Sequence, residues 1–129
     1  MNGTPESVKS YPCSCCGCRT LEFGPGSQEI CPVCFWEDDL LQLRWPLLDS
    51  GANGVSLVQA QENYMRLGAS EERFLRAIRK PRPDEKPDEQ WRAIDLSTDR
   101  FEQTLEALAP WPSDHTVLYW WSRRFWLLQ

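Results

Sequence analysis

Histidine occurs once in the 129 residues, at His115. A lone histidine far along the chain supplies neither an H-E-x-x-H zinc site nor a histidine-dependent triad. Pro12-Cys13-Ser14-Cys15-Cys16 contains the P-C-x-x-C half of a zinc deaminase signature, but the H-x-E half is missing: Val117 stands two positions after His115. No glycine-rich phosphate loop is present. No run reaches the roughly 18 apolar residues of a membrane span, and Met1 to Tyr11 is polar, without the apolar centre of a secretory signal. A cytoplasmic protein is expected. Basic residues are also short, 14 Lys and Arg against 19 Asp and Glu, for a net charge of −5. That balance works against binding a phosphate backbone, which needs a concentrated basic face. With these chemistries removed, no enzyme activity is expected.

What the chain does have is cysteine, and all six fall between Cys13 and Cys34. Cys13 and Cys16 form one C-x2-C pair and Cys31 and Cys34 another, fourteen residues apart, close to the spacing of a four-cysteine zinc site. Each turn lets two thiolates converge on one ion, and Gly17 lets backbone amides fold back toward sulfur. Thr20 to Phe23 alternates polar and apolar, Gly24-Pro25-Gly26-Ser27 is turn chemistry, and Gln28 to Ile30 leads back to the second pair. A short hairpin joining two knuckles, a zinc ribbon, is predicted. A closed four-thiolate site leaves no coordination position for water, so the Zn2+ would be structural. Disulfides are the competing use, opposed by the adjacent Cys15 and Cys16 and by the expected reducing compartment. Cys15 and Cys18 form a second C-x2-C register. Cys13 and Cys16 are preferred because Gly17 then follows the knuckle, which leaves Cys15 and Cys18 as small side chains packed beside the site.

Tyr11-Pro12-Cys13-Ser14-Cys15-Cys16-Gly17, Thr20-Leu21 and Glu29-Ile30-Cys31-Pro32-Val33-Cys34-Phe35-Trp36-Glu37-Asp38-Asp39 resemble the bacterial cysteine-rich CPCC family. Softer matches at Gly51-Ala52-Asn53, Ser56-Leu57, Ala60, Asn63 and Gly68 extend the resemblance over residues 11–81. Ser14 replaces the proline of the CPCC name, and Cys18 stands where the family usually carries an aromatic. The resemblance implies a zinc-binding domain of bacterial origin and points to accessory roles, such as neutralising a toxin or binding another basic partner. C-x2-C-G with C-P-x-C is also the local pattern of rubredoxin iron sites, which transfer electrons. There, however, the knuckles lie further apart, and here Phe35 takes the place of a glycine.

Along the rest of the chain, Met1 to Ser10 is expected to be a mobile leader. Glu37-Asp38-Asp39 is expected to be a solvated or helix-capping acidic turn, and Leu40 to Leu48 an irregular packed segment. Asp49 to Gly54 superficially matches a calcium loop but carries Ala60 where the bidentate Glu belongs, so a turn is predicted. Ser56 with Gln59 makes a capping box for a helix ending at Gly68, with Leu57, Ala60, Tyr64 and Leu67 on its apolar stripe. A second helix is predicted from Ser70 to Pro81, burying Phe74, Leu75 and Ile78. It would turn Arg73, Arg76, Arg79 and Lys80 outward, which together with Arg82 give the one candidate face for nucleic acid. Residues 82–90 read as a linker. Beyond them, Asp99 and Glu102 would cap a third helix burying Phe101, Leu105 and Leu108. Ser113 would cap a fourth, His115 to Leu128, with Val117, Trp120, Trp121, Phe125 and Leu128 on one stripe. Residues 91–129 are thus expected to be helical, tryptophan-rich and packed on the first part, with surplus apolar surface forming a homodimer or partner site.

The whole predicts an α+β fold: a small zinc ribbon with a short hairpin, followed by about four helices. The metal ligands are Cys13, Cys16, Cys31 and Cys34, and the function expected is a zinc-stabilised, non-catalytic module that binds a protein. A nucleic-acid-binding ribbon and a rubredoxin-like electron carrier are the alternatives.

Overall fold

Ser56 starts the best-defined element. In the computed structural model, which describes residues 11–106 and 109–127, its hydroxyl accepts the Gln59 N–H and opens helix α2, Leu57–Leu67, which Gly68 closes at φ 88°. Only half of the capping box forms, because the Gln59 amide turns forward to Asn63. Leu57 and Ala60 are buried as their spacing requires, and so are the polar Gln61 and Asn63. Gln61 donates to the Ser14 carbonyl and accepts the Ile94 N–H, each at 2.9 Å, so one buried amide joins α2 to the first cysteine turn and to the C-terminal segment.

The hairpin and three of the four expected helices do not form among the described residues. Among the described residues the helices are α2 and the short α1, Leu40–Arg44, with three 3-10 turns at Glu72–Phe74, Pro83–Glu85 and His115–Leu118. Strand pairing among the described residues is limited to two isolated antiparallel bridges, Tyr11 with Leu21 and Ile30 with Glu37. In place of a ladder, carboxylates take backbone donors of the expected first strand and of its turn. Glu29 accepts the N–H groups of Glu22 and Phe23, and Asp38 accepts those of Gly26 and Ser27. Gln28, at φ 66°, lies outside strand geometry.

The acidic turn is spent on this scaffold. Asp38 is buried under the loop it holds, and burial pushes its carboxyl above the ordinary range against the pull of those N–H groups. Asp39 caps α1 by accepting from Leu41 and Gln42. The stretch expected to be irregular is therefore helical for its first five residues, until Trp45-Pro46 ends it.

Elsewhere the chain is held by long-range partners at the expense of helix. After Ser70 it makes one 3-10 turn, Phe74 tilts onto Phe35 at 4.8 Å, and the Arg79 N–H goes to the Pro32 carbonyl. Asp99 and Glu102 do not cap a helix: Asp99 binds Arg92 and the Asp95 N–H, and Glu102 binds Arg44. The expected face loses Leu105, which is 62% exposed, while Phe101 packs on Phe125; Leu108 lies outside the described residues. Near the C-terminus Asp114, not Ser113, caps a 3-10 turn, further turns follow, and the Trp126 N–H folds back to the Val117 carbonyl. Aromatic-rich chain has modest helix propensity, and here Trp120, Trp121, Phe125 and Trp126 find separate partners. The leader Met1 to Ser10 and Leu128 also lie outside the described residues.

The core is the cysteine cluster itself, extended by Val33, Trp36, Leu43, Leu57, Leu118, Trp120 and Phe125. Residues 82–90 pack against its edge: the Glu85 carbonyl accepts the Arg19 N–H, and its side chain, 4% exposed, takes two hydrogen bonds of 2.7 Å from Arg79. Arg79 holds the Glu85 carboxyl below its ordinary value of 4.5. A carboxyl with a depressed folded pKa stabilises the fold fully above its unfolded value and loses that contribution as pH falls through the folded one. The stability difference between wild type and Glu85→Gln should therefore be constant from pH 7 to about 5 and shrink below about 4.5. Taking the difference in denaturation midpoints cancels acid effects common to both proteins, and a pH-independent difference would refute the linkage.

Candidate metal centre

Each C-x2-C segment folds into the same closed turn. In the first, the Gly17 N–H donates to the Cys13 carbonyl at 2.7 Å and the Cys13 N–H to the Cys18 carbonyl at 2.8 Å. In the second, the Phe35 N–H donates to the Cys31 carbonyl at 2.7 Å and the Cys31 N–H to the Trp36 carbonyl at 2.9 Å. The residue after each second cysteine is left-handed, Gly17 at φ 80° and Phe35 at φ 68°. Glycine adopts that conformation freely and phenylalanine does not; contact with Phe74 holds Phe35 there. Overlaying the two turns in sequence would have revealed this position.

The turns face each other and bring the sulfurs of Cys13, Cys16, Cys31 and Cys34 within 4.8 Å of one another. The Cys13–Cys34 and Cys16–Cys31 separations are 3.5 and 3.8 Å. A tetrahedral ion with metal–sulfur bonds near 2.3 Å has sulfur–sulfur edges of about 3.8 Å, whereas a disulfide needs about 2.05 Å. All six cysteines are free thiols. The donor set and its spacing fit one four-thiolate metal site, with the four cysteines 0–3% exposed. Cys15 and Cys18 are equally buried but stand outside the four-sulfur group.

The sulfurs compete for protons. Hydrogen bonds from Cys13, then Cys16 and Cys34, hold the Cys31 thiol far below its ordinary range, while burial pushes Cys13 up to about 11. Cys16 is raised chiefly by Cys13, and Cys34 chiefly by burial. Metal binding at such a site displaces protons, so uptake weakens as pH falls. Backbone and hydroxyl donors support the sulfurs: Thr20 Oγ1 donates to Cys31 Sγ at 3.1 Å and the Cys15 N–H to Cys13 Sγ at 3.4 Å. The turns are also tied from behind, by the Ser70 N–H on the Cys34 carbonyl and by Gln61 on Ser14.

The family model for cysteine-rich CPCC proteins matches residues 11–85. The chain belongs to this family. The match takes in both C-x2-C turns and runs to the buried Glu85; the tryptophan-rich segment beyond it lies outside. No curated protein matches the chain. Among the described residues no helix is long and apolar enough to cross a membrane.

Thr20 and Trp91 carry no sequence signal as site residues, because neither is a ligand type. Trp91 covers the first C-x2-C turn so closely that a Cβ on Gly17 would lie 2.5 Å from its indole. Gly17→Ala combines left-handed strain of about 1–2 kcal/mol with overpacking of about 1–3 kcal/mol. The expected loss is about 2–5 kcal/mol in denaturant melts. Adding Trp91→Leu should restore the steric part only. Equal losses with and without Trp91 would show that the ring gives way.

Of the expected basic face, Arg79 is committed to Glu85, and Arg73 pairs with Glu71 while lying over the Phe74 ring.

Proposed function

We propose that this CPCC protein is a zinc-stabilised, non-catalytic protein-binding module of bacterial origin, working in the cytoplasm in an accessory role such as binding a basic partner or toxin. The observation that carries it is the four-sulfur cluster, whose members lie within 4.8 Å of one another and are 0–3% exposed. Zinc held by four thiolates is coordinatively closed and contributes folding energy without activating water. The acidic balance of −5 favours a cationic partner. Two of the five cations of the candidate nucleic-acid face are paired with carboxylates, which weighs against that alternative.

Elemental analysis of protein purified without added metal tests the zinc assignment, with one zinc per chain and no visible colour expected. Red protein with stoichiometric iron would replace zinc by an electron-transfer site. Cross-linking of a tagged copy in its native cell, followed by identification of the linked protein, tests the partner. Repeated absence of any specific adduct would refute the binding role.

A further inference from the structure

A groove of about 510 Å³ runs between the chain leaving α1 and the segment from Leu96 to Leu105. Trp45 and Phe101 line it, and Leu47, Leu96 and Leu105 line it while remaining 65%, 50% and 62% exposed. No lysine or arginine lines it, whereas Asp49, Asp99 and Glu102 do. Asp99 and Glu102 are paired with Arg92 and Arg44. Asp49 has no hydrogen-bonding or ionic partner among the described residues, and it places one negative charge beside the apolar channel.

Size and charge select among occupants. Three partly exposed leucines together expose on the order of 300 Å² of apolar surface, only part of which faces the groove, and the largest patch of an ordinary monomer reaches that size. That is less than half of the roughly 800 Å² that each partner gives to a stable dimer. A small molecule needs most of its surface enclosed, and rim leucines that are half or more exposed do not enclose one. A peptide segment needs only a channel with apolar anchor positions, as when the apolar face of an amphipathic helix lies in a groove.

Resting on the protein-binding role above, we propose that the groove docks a short amphipathic segment of a partner protein, placing apolar anchors among Leu47, Leu96 and Leu105 and a lysine or arginine against Asp49. This locates the contact away from the basic cluster at Arg73 to Arg82. It also gives the partner's positive charge a specific counterpart.

The test selects binders to the full-length protein from a displayed library of random helical peptides. The clones recovered should carry spaced leucine or phenylalanine with lysine or arginine. Synthetic copies should bind at least tenfold more weakly to Leu47→Asp/Leu105→Asp protein, whose changes lie at exposed positions and spare the fold. Asp49→Lys should shift preference toward glutamate-bearing versions of the same peptides. Failure to recover any clone sensitive to the two leucines overturns the proposal, and so does acidic consensus or indifference to Asp49→Lys. Sedimentation showing a dimer that Leu105→Asp dissociates would assign the groove to a second copy and overturn the peptide assignment. A cellular partner cross-linked equally to wild type and to the double variant would remove the groove while leaving the protein-binding role standing.

Discussion

Cys34→Ser protein is expected to purify without stoichiometric metal and to lose its cooperative unfolding transition. Structural zinc supplies on the order of 10–16 kcal/mol to small metal-dependent domains, as much as or more than the 5–15 kcal/mol by which a typical domain is stable. Here the sulfurs form the centre of the core, so losing the ion loosens the contacts of Val33, Trp36 and Leu57 with them. Cys18→Ser should keep its metal and melt cooperatively, because Cys18 stands outside the four-sulfur group. Metal content measured alongside near-ultraviolet circular dichroism separates the two variants. If Cys18→Ser strips the metal while Cys13→Ser retains it, the ligand set is wrong.

The second large effect is expected far from sulfur. Arg44 lies wholly inside the protein, its side chain 0% exposed and that of its partner Glu102 7% exposed. The guanidinium also donates to the Ala109 carbonyl and lies 4.4–4.9 Å from the ring centres of Trp45, Trp111 and Trp126. Glu102→Gln leaves that cation enclosed without its anion, and breaking a buried pair in this way costs about 3–5 kcal/mol. The rings retain part of the attraction, so the lower half of that range is expected from urea midpoints. Replacing both partners, as in Arg44→Met with Glu102→Leu, should recover most of the loss, since apolar substitutes for a buried pair are often neutral. A single-variant loss below about 1 kcal/mol would mean that water reaches Arg44.

The legible parts of the sequence were those governed by local rules. Two C-x2-C pairs marked the four sulfurs, and Ser56 and Gly68 marked both ends of α2. What misled were residues whose local signal is overridden by a distant partner. Asp99 and Glu102 look like a capping pair, yet one is taken by Arg92 and the other by Arg44 across 58 positions of sequence. Gly24 to Ser27 looks like a hairpin loop, yet Asp38 and Glu29 satisfy the loop and its flank from outside any ladder. The tryptophan stripe has helical spacing, but the rings face several directions: Trp120 donates to the Arg92 carbonyl, Trp126 covers Arg44 and Trp121 stacks on Tyr119 at 4.3 Å. No window of adjacent residues contains those partners.

The Trp91 indole lying on Gly17 bears on how long the centre keeps an ion. Every sulfur is beneath packed side chains, and this ring meets Trp120 and Trp121 edge-on or tilted at 6.4 Å. With the four cysteines 0–3% exposed, a chelator would reach a metal held there only after the packing around them opens, so the lifetime of a bound ion would follow the frequency of opening as well as its affinity. An ion bound by the four thiolates would then exchange more slowly than its affinity alone implies, and Trp91→Ala protein would release it to a chelator faster than wild type.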